Sequence, residues 1–365
     1  MDNLIKSFGN SNVALGGALI TGALLVLLAN KYIQQTQQST NSNNNKLKKI
    51  REYPIRVQKI IIYPIKSCRG IELTHGQVDK IGFVNDRKWM LIHNNRFMSQ
   101  RTTPKLALIT PRFEGENLVI SAPGMPDLFV PININAETTP TMKATIWKHE
   151  VNVLNCGEES HEWFSKFMEK DVSLVQVPRE NYNRQVEYVY LQNIKGINAP
   201  SDVQTSDYQF RLCDAGQIMF LGQASIDELN QRINEERAKR GEKQQAPLTW
   251  ERFRPNLLIT GTEAFEEDDW SQFRIGSLQF ASIDHTGRCK LTTVEPSTGV
   301  LNPYEDDEPL RTLKTFRKAV DNSVYLGVLG VRQDGSDLVD VSVGDIIEVL
   351  SNDFVSKNHS VLNSQ

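Results

Sequence analysis

The chain has 365 residues, which is enough for two domains of ordinary size or one large one. Its 41 lysines and arginines nearly balance 44 aspartates and glutamates, so the formal charge of -3 excludes a general attraction to nucleic acid. Charged residues make up 23% and hydrophobic residues 39%, a balance that excludes wholesale disorder and predicts a folded protein.

The N-terminal segment contains an uncharged apolar run from Val13 to Ala29. As a helix this run would extend about 25 Å, so residues 1–33 are predicted to form a membrane anchor. A secretory signal peptide is the alternative, but no small-residue cleavage site follows Leu28. Basic residues are concentrated downstream, which predicts that the body of the protein faces the cytosol. Residues 34–52 are polar and are predicted to be a disordered linker.

From residue 56 onward, short β-rich runs alternate with turn residues. Three antiparallel hairpins are predicted, at Trp89–Met98, Leu106–Ile120 and Ala144–Leu154. Many antiparallel strands without a regular βαβ alternation indicate barrels rather than a doubly wound sheet. Motifs that bind nucleotide phosphates are absent, since no G-x-x-x-x-G-K-[ST] or strand-linked G-x-G-x-x-G occurs in the sequence.

Helical patterns are fewer. Helices are predicted at Glu158–Lys170, at Leu310–Val320, and from a capping box at Ser225 to about Lys239. The chain is therefore predicted to be mainly β with a few helices, in the α+β class. Two acidic runs, residues 266–269 and 305–308, are predicted to lie in solvated loops.

Four cysteines occur, and no two of them form a C-x-x-C pair. This usage excludes a zinc knuckle and a disulfide scaffold, and it fits a reducing compartment. Cys289 stands between Arg288 and Lys290 at the start of an apparent strand. Adjacent positive charge favours the thiolate form, which attacks electrophiles or binds soft metals. The alternatives are a buried inert cysteine and a nucleophile paired with His285, although their spacing fixes no hydrogen bond.

Three segments place polar residues beside predicted strands. YPIKSCRG, at residues 63–70, is a turn whose lysine and serine could hold a phosphate, but solvated turns of this composition are common. DRKW at residues 86–89 and RFRPN at 252–256 add arginines at strand starts, where side chains converge on a barrel mouth. Taken singly, each arginine is more simply explained by a surface ion pair.

Two further segments belong with these motifs, FMSQR at residues 97–101 and GRCKLTTVEPSTG at residues 287–299. Taken together, the five segments resemble the MOSC family of molybdenum-cofactor proteins. The resemblance is closest to the amidoxime-reducing components of that family, and it runs in order from about Val57 to Leu350. It implies two β-barrel-like domains after the N-terminal transmembrane helix. These are a MOSC N-terminal domain at 53–180 and a MOSC domain at 181–351, followed by a tail at 352–365. An anchor in the outer mitochondrial membrane also fits the resemblance.

The resemblance further implies a site for a molybdenum–molybdopterin cofactor. It makes Cys289 the protein ligand of the metal and places the acidic Asp214 near it, as a catalytic group that could shuttle a proton. Six polar or cationic residues are implied to bind the cofactor: Lys66, Ser67, Arg87, Arg254, Asn256 and Arg288.

Two departures from the family pattern stand near this site. Ala215-Gly216 follows the aspartate where amidoxime reducers often have hydroxyl residues, and Leu329 stands where some relatives have a tyrosine. We therefore expect pterin packing or substrate range to differ, with the metal ligand unaffected.

The implied function is a molybdenum-dependent reductase of N-hydroxylated compounds, namely amidoximes, hydroxylamines and N-hydroxylated bases. Because no dinucleotide motif is present, the resemblance implies electrons from NADH through a flavin reductase and cytochrome b5. The alternative is a molybdenum-cofactor carrier or sulfur-handling protein without substrate turnover, because MOSC domains also occur fused to cofactor sulfurases. The chain lacks room for the pyridoxal-phosphate domain of those sulfurases, which favours the reductase.

Overall fold

The structure covers most of the chain after the predicted linker. The computed structural model describes residues 53–178, 184–203, 208–303, 305–319, 321–334 and 338–356. The predicted anchor, the linker and the tail from residue 357 lie outside these ranges, so they stay predictions. Among the described residues, no helix is both long enough and apolar enough to cross a membrane.

Strands dominate the described residues, which confirms the predicted mainly β class. The strands of the first half are β1 (Arg56–Ile62), β2 (Ile71–Leu73), β3 (His75–Asp79), β4 (Gly82–Phe83), β5 (Trp89–His93), β6 (Arg96–Phe97), β7 (Thr110–Glu114), β8 (Asn117–Ser121), β9 (Leu128–Pro131), β10 (Thr141–Ile146), β11 (His149–Asn155) and β12 (Ser173–Gln176). Those of the second half are β13 (Ile218–Gly222), β14 (Leu257–Thr260), β15 (Gln272–Ile275), β16 (Leu278–Arg288), β17 (Val294–Glu295), β18 (Val300–Leu301), β19 (Val324–Arg332), β20 (Val339–Ser342) and β21 (Ile347–Ser351).

The α-helices of the described residues are α1 (Glu158–Met168), α2 (Tyr188–Leu191), α3 (Gln223–Lys239) and α4 (Leu310–Phe316). The three predicted helices are thus confirmed as α1, α3 and α4. The predicted capping box is wrong, because α3 begins before Ser225 and has no side-chain cap. The Ser225 hydroxyl instead donates a hydrogen bond to the Glu267 carboxylate at 2.8 Å.

A closed five-stranded barrel is built in the order β10-β11-β12-β5-β6. Two predicted hairpins supply four of these strands, β5 with β6 and β10 with β11, which confirms those predictions. Side chains alternate along β5, as they do in any strand. Met90 and Ile92 join the apolar cluster inside the barrel, whereas Trp89 and Leu91 belong to the cluster that packs against Phe164 of α1.

The predicted hairpin at Leu106–Ile120 is wrong in its first strand. Residues Pro104–Leu108 form a 3₁₀ turn, and the strand that pairs with β8 is β7, which begins at Thr110. Pro104 explains the difference, because its fixed φ and missing N–H favour the first turn of a helix.

An eight-stranded sheet forms the second large element, in the order β2-β1-β14-β13-β19-β16-β15-β21. The last strand of this order, β21, approaches β1 near the other end, since Arg56 at the start of β1 bridges Ile346 just before β21. The Ile347 N–H also donates to the Ile55 carbonyl at 2.9 Å. The predicted second barrel is thus present only in part, because among the described residues a bridge, rather than a continuous strand pair, joins the ends.

Strands from the beginning of the body pair with strands from its second half. β1 pairs with β14, and β3 pairs with β20. This pairing brings the YPIKSCRG turn, which follows β1, to the FRPN segment, which precedes β14. The predicted boundary at residues 180 and 181 stays a prediction: the closed barrel lies before it, but β1 and β3 belong to sheets with later strands.

The first acidic run is not the solvated loop that the sequence predicts, whereas the second lies in a loop in which Glu305 and Asp307 are exposed. Residues 266–269 form a 3₁₀ turn in which Glu267 is fully buried, and Glu308 of the second run is buried as well. Glu267 accepts hydrogen bonds from the Gly222 N–H at 3.0 Å and from the Ser225 hydroxyl at 2.8 Å. Both donors lie at the N-terminal end of α3, so this carboxylate supplies the acceptor that the helix lacks in its own cap.

Glu267→Gln is expected to change how stability depends on pH. Burial, with a contribution from the charge of Asp268, raises the pKa of Glu267 to about 7. The folded state therefore binds this proton more tightly than the unfolded state, so the free energy of unfolding falls as the pH rises from about 5 to 8. The substitution should remove about 1 to 3 kcal/mol of that fall, as measured by urea denaturation at both pH values.

The control for this measurement is Glu348→Gln, which removes an exposed carboxylate paired with Arg274. It should leave the pH dependence of unfolding unchanged. If the Glu267→Gln protein kept the pH dependence of the wild type, the shifted proton would not belong to Glu267.

Candidate functional site

A cavity of about 820 Å³ is lined by residues of both the barrel and the eight-stranded sheet. The eight residues predicted for the site all line it: Lys66, Ser67, Arg87, Asp214, Arg254, Asn256, Arg288 and Cys289. They come from five separate segments of the chain, which the fold brings together. Their roles toward a cofactor stay predictions.

Three of these residues have a left-handed backbone, which side chains other than glycine rarely adopt. The φ angles are 68° at Ser67, 46° at Arg87 and 59° at Arg254. Backbone hydrogen bonds hold two of these turns, from Arg87 N–H to the Tyr63 carbonyl at 2.9 Å and from Arg254 N–H to the Trp250 carbonyl at 3.0 Å. Such conformations cost about 1 to 3 kcal/mol each and persist where the surrounding structure imposes them.

Tyr63 is the platform on which two of the arginines stack. The guanidinium groups of Arg87 and Arg254 lie 4.3 and 4.1 Å from the centre of its ring. Arg87 also pairs with Asp86 at 2.5 Å. Arg254 donates to the Cys68 carbonyl at 2.6 Å and has no carboxylate partner among the described residues. Burial lowers the pKa of Arg254, and the neighbouring charge of Arg87 lowers it further.

Arg288 is a second cation held without a carboxylate in the described part of the chain. Its guanidinium donates to the Leu326 carbonyl at 2.9 Å and to the Phe253 carbonyl at 2.8 Å. Burial lowers the pKa of Arg288 to about 9. The group thus contributes positive charge in a place where solvent does not compensate it.

Cys289 lies directly after Arg288, at the end of β16 rather than at the start of a strand as predicted. Its carbonyl accepts hydrogen bonds from the N–H and hydroxyl of Thr292, at 3.0 and 2.9 Å, which begin a 3₁₀ turn. The Cys289 side chain is partly exposed and lines the cavity. Burial raises the pKa of Cys213, the other thiol in the lining, to about 11. Cys289 is therefore the more accessible thiol of the two.

Asp214 presents an ionised carboxylate to the cavity. Lys66 Nζ donates to its Oδ1 at 2.5 Å and to the Leu212 carbonyl at 2.8 Å. Trp147 Nε1 donates to the same oxygen of Asp214 at 3.0 Å. Burial within the protein would raise the pKa of Asp214, but the charge of Lys66 and these hydrogen bonds hold it well below its usual range. The side chain is nevertheless 68% exposed, because it faces open cavity space.

Asn256 has an architectural role in the structure. Its amide Nδ2 donates to the Ile61 carbonyl at 3.1 Å, and its Oδ1 accepts the Met219 N–H at 3.2 Å. These bonds tie β14 to β1 and β13 on both sides. Asn256 thereby fixes the strand start that carries Arg254, in addition to any contact it makes in the cavity.

The two departures from the family pattern are neighbours in space. A Cβ atom at Gly216 would lie 3.3 Å from the Leu329 Cβ and 3.0 Å from the Ile283 Cδ1. A side chain at position 216 would therefore require Leu329 or Ile283 to move. Glycine and leucine together form one apolar part of the cavity wall.

Sequence reasoning missed Trp147 and Arg184. Trp147 is in the two-residue turn between β10 and β11, and its backbone is left-handed, with a φ of 54°. A tryptophan is an unusual residue for such a turn, and this is the signal in the sequence that could have drawn attention to it. Arg184 is buried and donates to the carbonyls of Arg211 at 3.0 Å and Asp214 at 3.2 Å. It lies outside every motif, and only the fold reveals that it supports the segment carrying Asp214.

Comparisons with known proteins extend these observations. The MOSC N-terminal beta barrel domain matches residues 54–171, and the MOSC domain matches residues 207–348. The chain is 31% identical over 267 residues to mitochondrial amidoxime reducing component 2 of Rattus norvegicus, covering 72% of each protein. It is 30% identical over 269 residues to the Homo sapiens protein of that name, again covering 72% of each.

A second kind of relative is molybdenum cofactor sulfurase of Bos taurus. The chain is 29% identical to it over 251 residues, which are 67% of this chain but 27% of the sulfurase. The amidoxime reducing components, by contrast, match over most of their own length. The chain therefore belongs to the family of MOSC-domain proteins that includes the mitochondrial amidoxime reducing components.

Proposed function

We propose that the cavity binds a molybdenum–molybdopterin cofactor and that the protein reduces N-hydroxylated compounds such as amidoximes, hydroxylamines and N-hydroxylated bases. One observation carries this proposal: the cationic groups of Arg87, Arg254 and Arg288 converge with the accessible thiol of Cys289 on one cavity. The names of the relatives support the same chemistry.

The charge of the cavity fits an anionic group. Eight lysines and arginines line it, against three aspartates and glutamates. Arg254 and Arg288 have carbonyl partners but no carboxylate among the described residues, so a phosphate would supply the missing negative charge. Lys66 would contribute positive charge to the phosphate while it keeps its ion pair with Asp214. Ser67 lies beside it in the same turn.

Cys289 fits the role of metal ligand, because a thiolate suits a soft, redox-active metal. When bound, the cofactor would supply the two-electron chemistry that amino-acid side chains cannot perform. Reduction of an N-hydroxyl group consumes two electrons and two protons and releases water. The protein's own residues bind the cofactor, orient the substrate and control protons.

Asp214 would act in this reaction chiefly as an acceptor. Because Lys66 and Trp147 hold its pKa low, the carboxylate is ionised at neutral pH and carries no proton to deliver. An ionised carboxylate can accept a hydrogen bond from the N–H or O–H of a substrate. A proton shuttle through Asp214 stays a prediction, and it requires that the proton first be acquired from solvent.

The source of electrons and the location follow from the same proposal. The described residues contain no dinucleotide motif, so electrons would come from NADH through a flavin reductase and cytochrome b5. The named relatives are mitochondrial proteins. We propose that residues 1–33 anchor the protein in the outer mitochondrial membrane, with the catalytic part in the cytosol.

A cofactor carrier or sulfur-handling protein is the second candidate, supported by the similarity to the sulfurase. Purified protein can be reduced with an artificial electron donor and then mixed with an amidoxime. Reoxidation coupled to amidine formation is expected for the reductase. A cofactor that stays reduced would favour the carrier.

Cys289→Ser should separate metal ligation from cofactor retention. The substitution replaces a soft thiolate by a hard, poorly ionised hydroxyl and leaves the cationic residues in place. Reductase activity should vanish while much of the pterin is retained, as shown by pterin content, molybdenum content and turnover of one preparation. The control is Cys156→Ser, which changes a thiol outside the cavity lining and should leave all three unchanged. Full activity in the Cys289→Ser protein would exclude this residue as the ligand.

Arg254→Ala should weaken cofactor binding without abolishing the chemistry. It removes a charge-assisted contact of about 1.5 to 3 kcal/mol, or about one to two powers of ten in affinity. Cofactor occupancy should fall, while activity per bound molybdenum should largely survive. Lys290→Ala is the matched control, because Lys290 is an exposed cation next to Cys289 that does not line the cavity. Equal occupancy in the two variants would contradict a phosphate contact at Arg254.

A further inference from the structure

The barrel contributes one hydrogen bond to the cavity that no motif indicates. Trp147 Nε1 donates to Asp214 Oδ1 at 3.0 Å, and Lys66 Nζ donates to the same oxygen at 2.5 Å. Two donors thus occupy Oδ1, whereas Oδ2 has no hydrogen-bond partner among the described residues. Since 68% of the side chain is exposed, Oδ2 is the oxygen available to a ligand in the cavity.

The indole of Trp147 is held in place from two sides. Its ring meets Phe97 of β6 edge to face, with 4.7 Å between ring centres. The guanidinium of Arg101 lies 4.0 Å from its centre on another side. These contacts, with the left-handed backbone of Trp147, leave the N–H little freedom to turn away from Asp214.

The backbone of Asp214 is fixed separately. Arg184 donates to the Asp214 carbonyl at 3.2 Å and to the Arg211 carbonyl at 3.0 Å, and its guanidinium stacks on Phe210 at 4.3 Å. The carboxylate is therefore oriented by the turn after β1, by the barrel hairpin and by the segment before α2. Each of these three elements contributes one side chain.

We propose that Trp147 is a positioning residue for the reduction: it holds the Asp214 carboxylate so that Oδ2 faces the cavity and accepts a hydrogen bond from the N–H or O–H of the substrate. The role toward a substrate rests on the proposed function, whereas the hydrogen bond itself does not. Through Trp147, the barrel would take part in the chemistry of a site whose thiol, that of Cys289, directly follows β16 of the eight-stranded sheet.

The charges that face Asp214 set the direction of the expected pH effect. Lys66 and Arg184 stabilise its ionised form, and Cys213 beside it has a pKa raised by burial to about 11. Tyr190 of α2, which also lines the cavity, has a pKa raised by burial and stays neutral. Loss of the indole donor would remove one stabilising contact, so the pKa of Asp214 would rise.

Trp147→Phe keeps an aromatic ring for Phe97 and Arg101 but removes the N–H. If the indole N–H positions Asp214 for the substrate, kcat/KM should fall at neutral pH and fall further toward acidic pH, with cofactor content unchanged. Trp163→Phe is the control, because that indole donates to the Pro126 carbonyl at 2.7 Å and does not line the cavity. It should keep the wild-type profile. A Trp147→Phe profile that coincides with the wild type would overturn the proposal.

A second measurement does not depend on turnover. The full-length protein in detergent has five tryptophans, and the indole N–H signal that Trp147→Phe removes from the NMR spectrum belongs to Trp147. Asp214→Asn should shift this signal and leave that of Trp163 in place. If the chemical shift of the Trp147 indole N–H stays the same in the Asp214→Asn protein, the inference is overturned whether or not the protein is a reductase. A responsive signal in a protein that reduces no N-hydroxylated compound would support the hydrogen bond and overturn the reductase.

Discussion

Buried positive charge without matching carboxylates is the constraint on which the cavity depends. Taking a guanidinium out of water is costly unless other groups replace its hydration. Here a backbone carbonyl and the ring of Tyr63 do so for Arg254. For Arg288, backbone carbonyls do so together with the Met219 sulfur and the ring of Phe253. These partners hold the groups in place but leave their charge uncancelled. Because burial penalises the charged form, it lowers the pKa of both arginines, and an anion in the cavity would offset that penalty.

The fold maintains this arrangement by joining distant parts of the chain in one sheet. β1 lies between β2 and β14, so the turn that carries Lys66 and Ser67 lies beside the strand start that carries Arg254. Asn256 locks this junction through backbone partners on β1 and β13. The left-handed turns at Ser67, Arg87 and Arg254 then aim their side chains into the cavity. Packing around these turns offsets their local strain.

Much of this site could be predicted because its residues lie in short motifs at strand ends. Periodicity also identified two barrel hairpins and three helices. It failed where a distant residue replaced a local one: α3 is capped by Glu267 rather than by Ser225, and no local pattern shows that pairing. Pro104 turned an apparent strand into a 3₁₀ turn. Trp147 and Arg184 were missed, because the groups that accept their hydrogen bonds are at least 27 residues away in sequence.

The cavity cannot be assigned to either matched region alone. The region of residues 207–348 contains Cys289, Arg254, Arg288 and Asp214, but the side chains that fix the Asp214 carboxylate, Lys66 and Trp147, precede it. Without them, Oδ1 would lose both donors and the charge of Lys66, so the pKa of that carboxyl would rise. The barrel region in turn contains no thiol that lines the cavity. The Cys289 thiol and the fixed Asp214 carboxylate therefore share one cavity only when both regions fold against each other, so the barrel is part of the cavity wall.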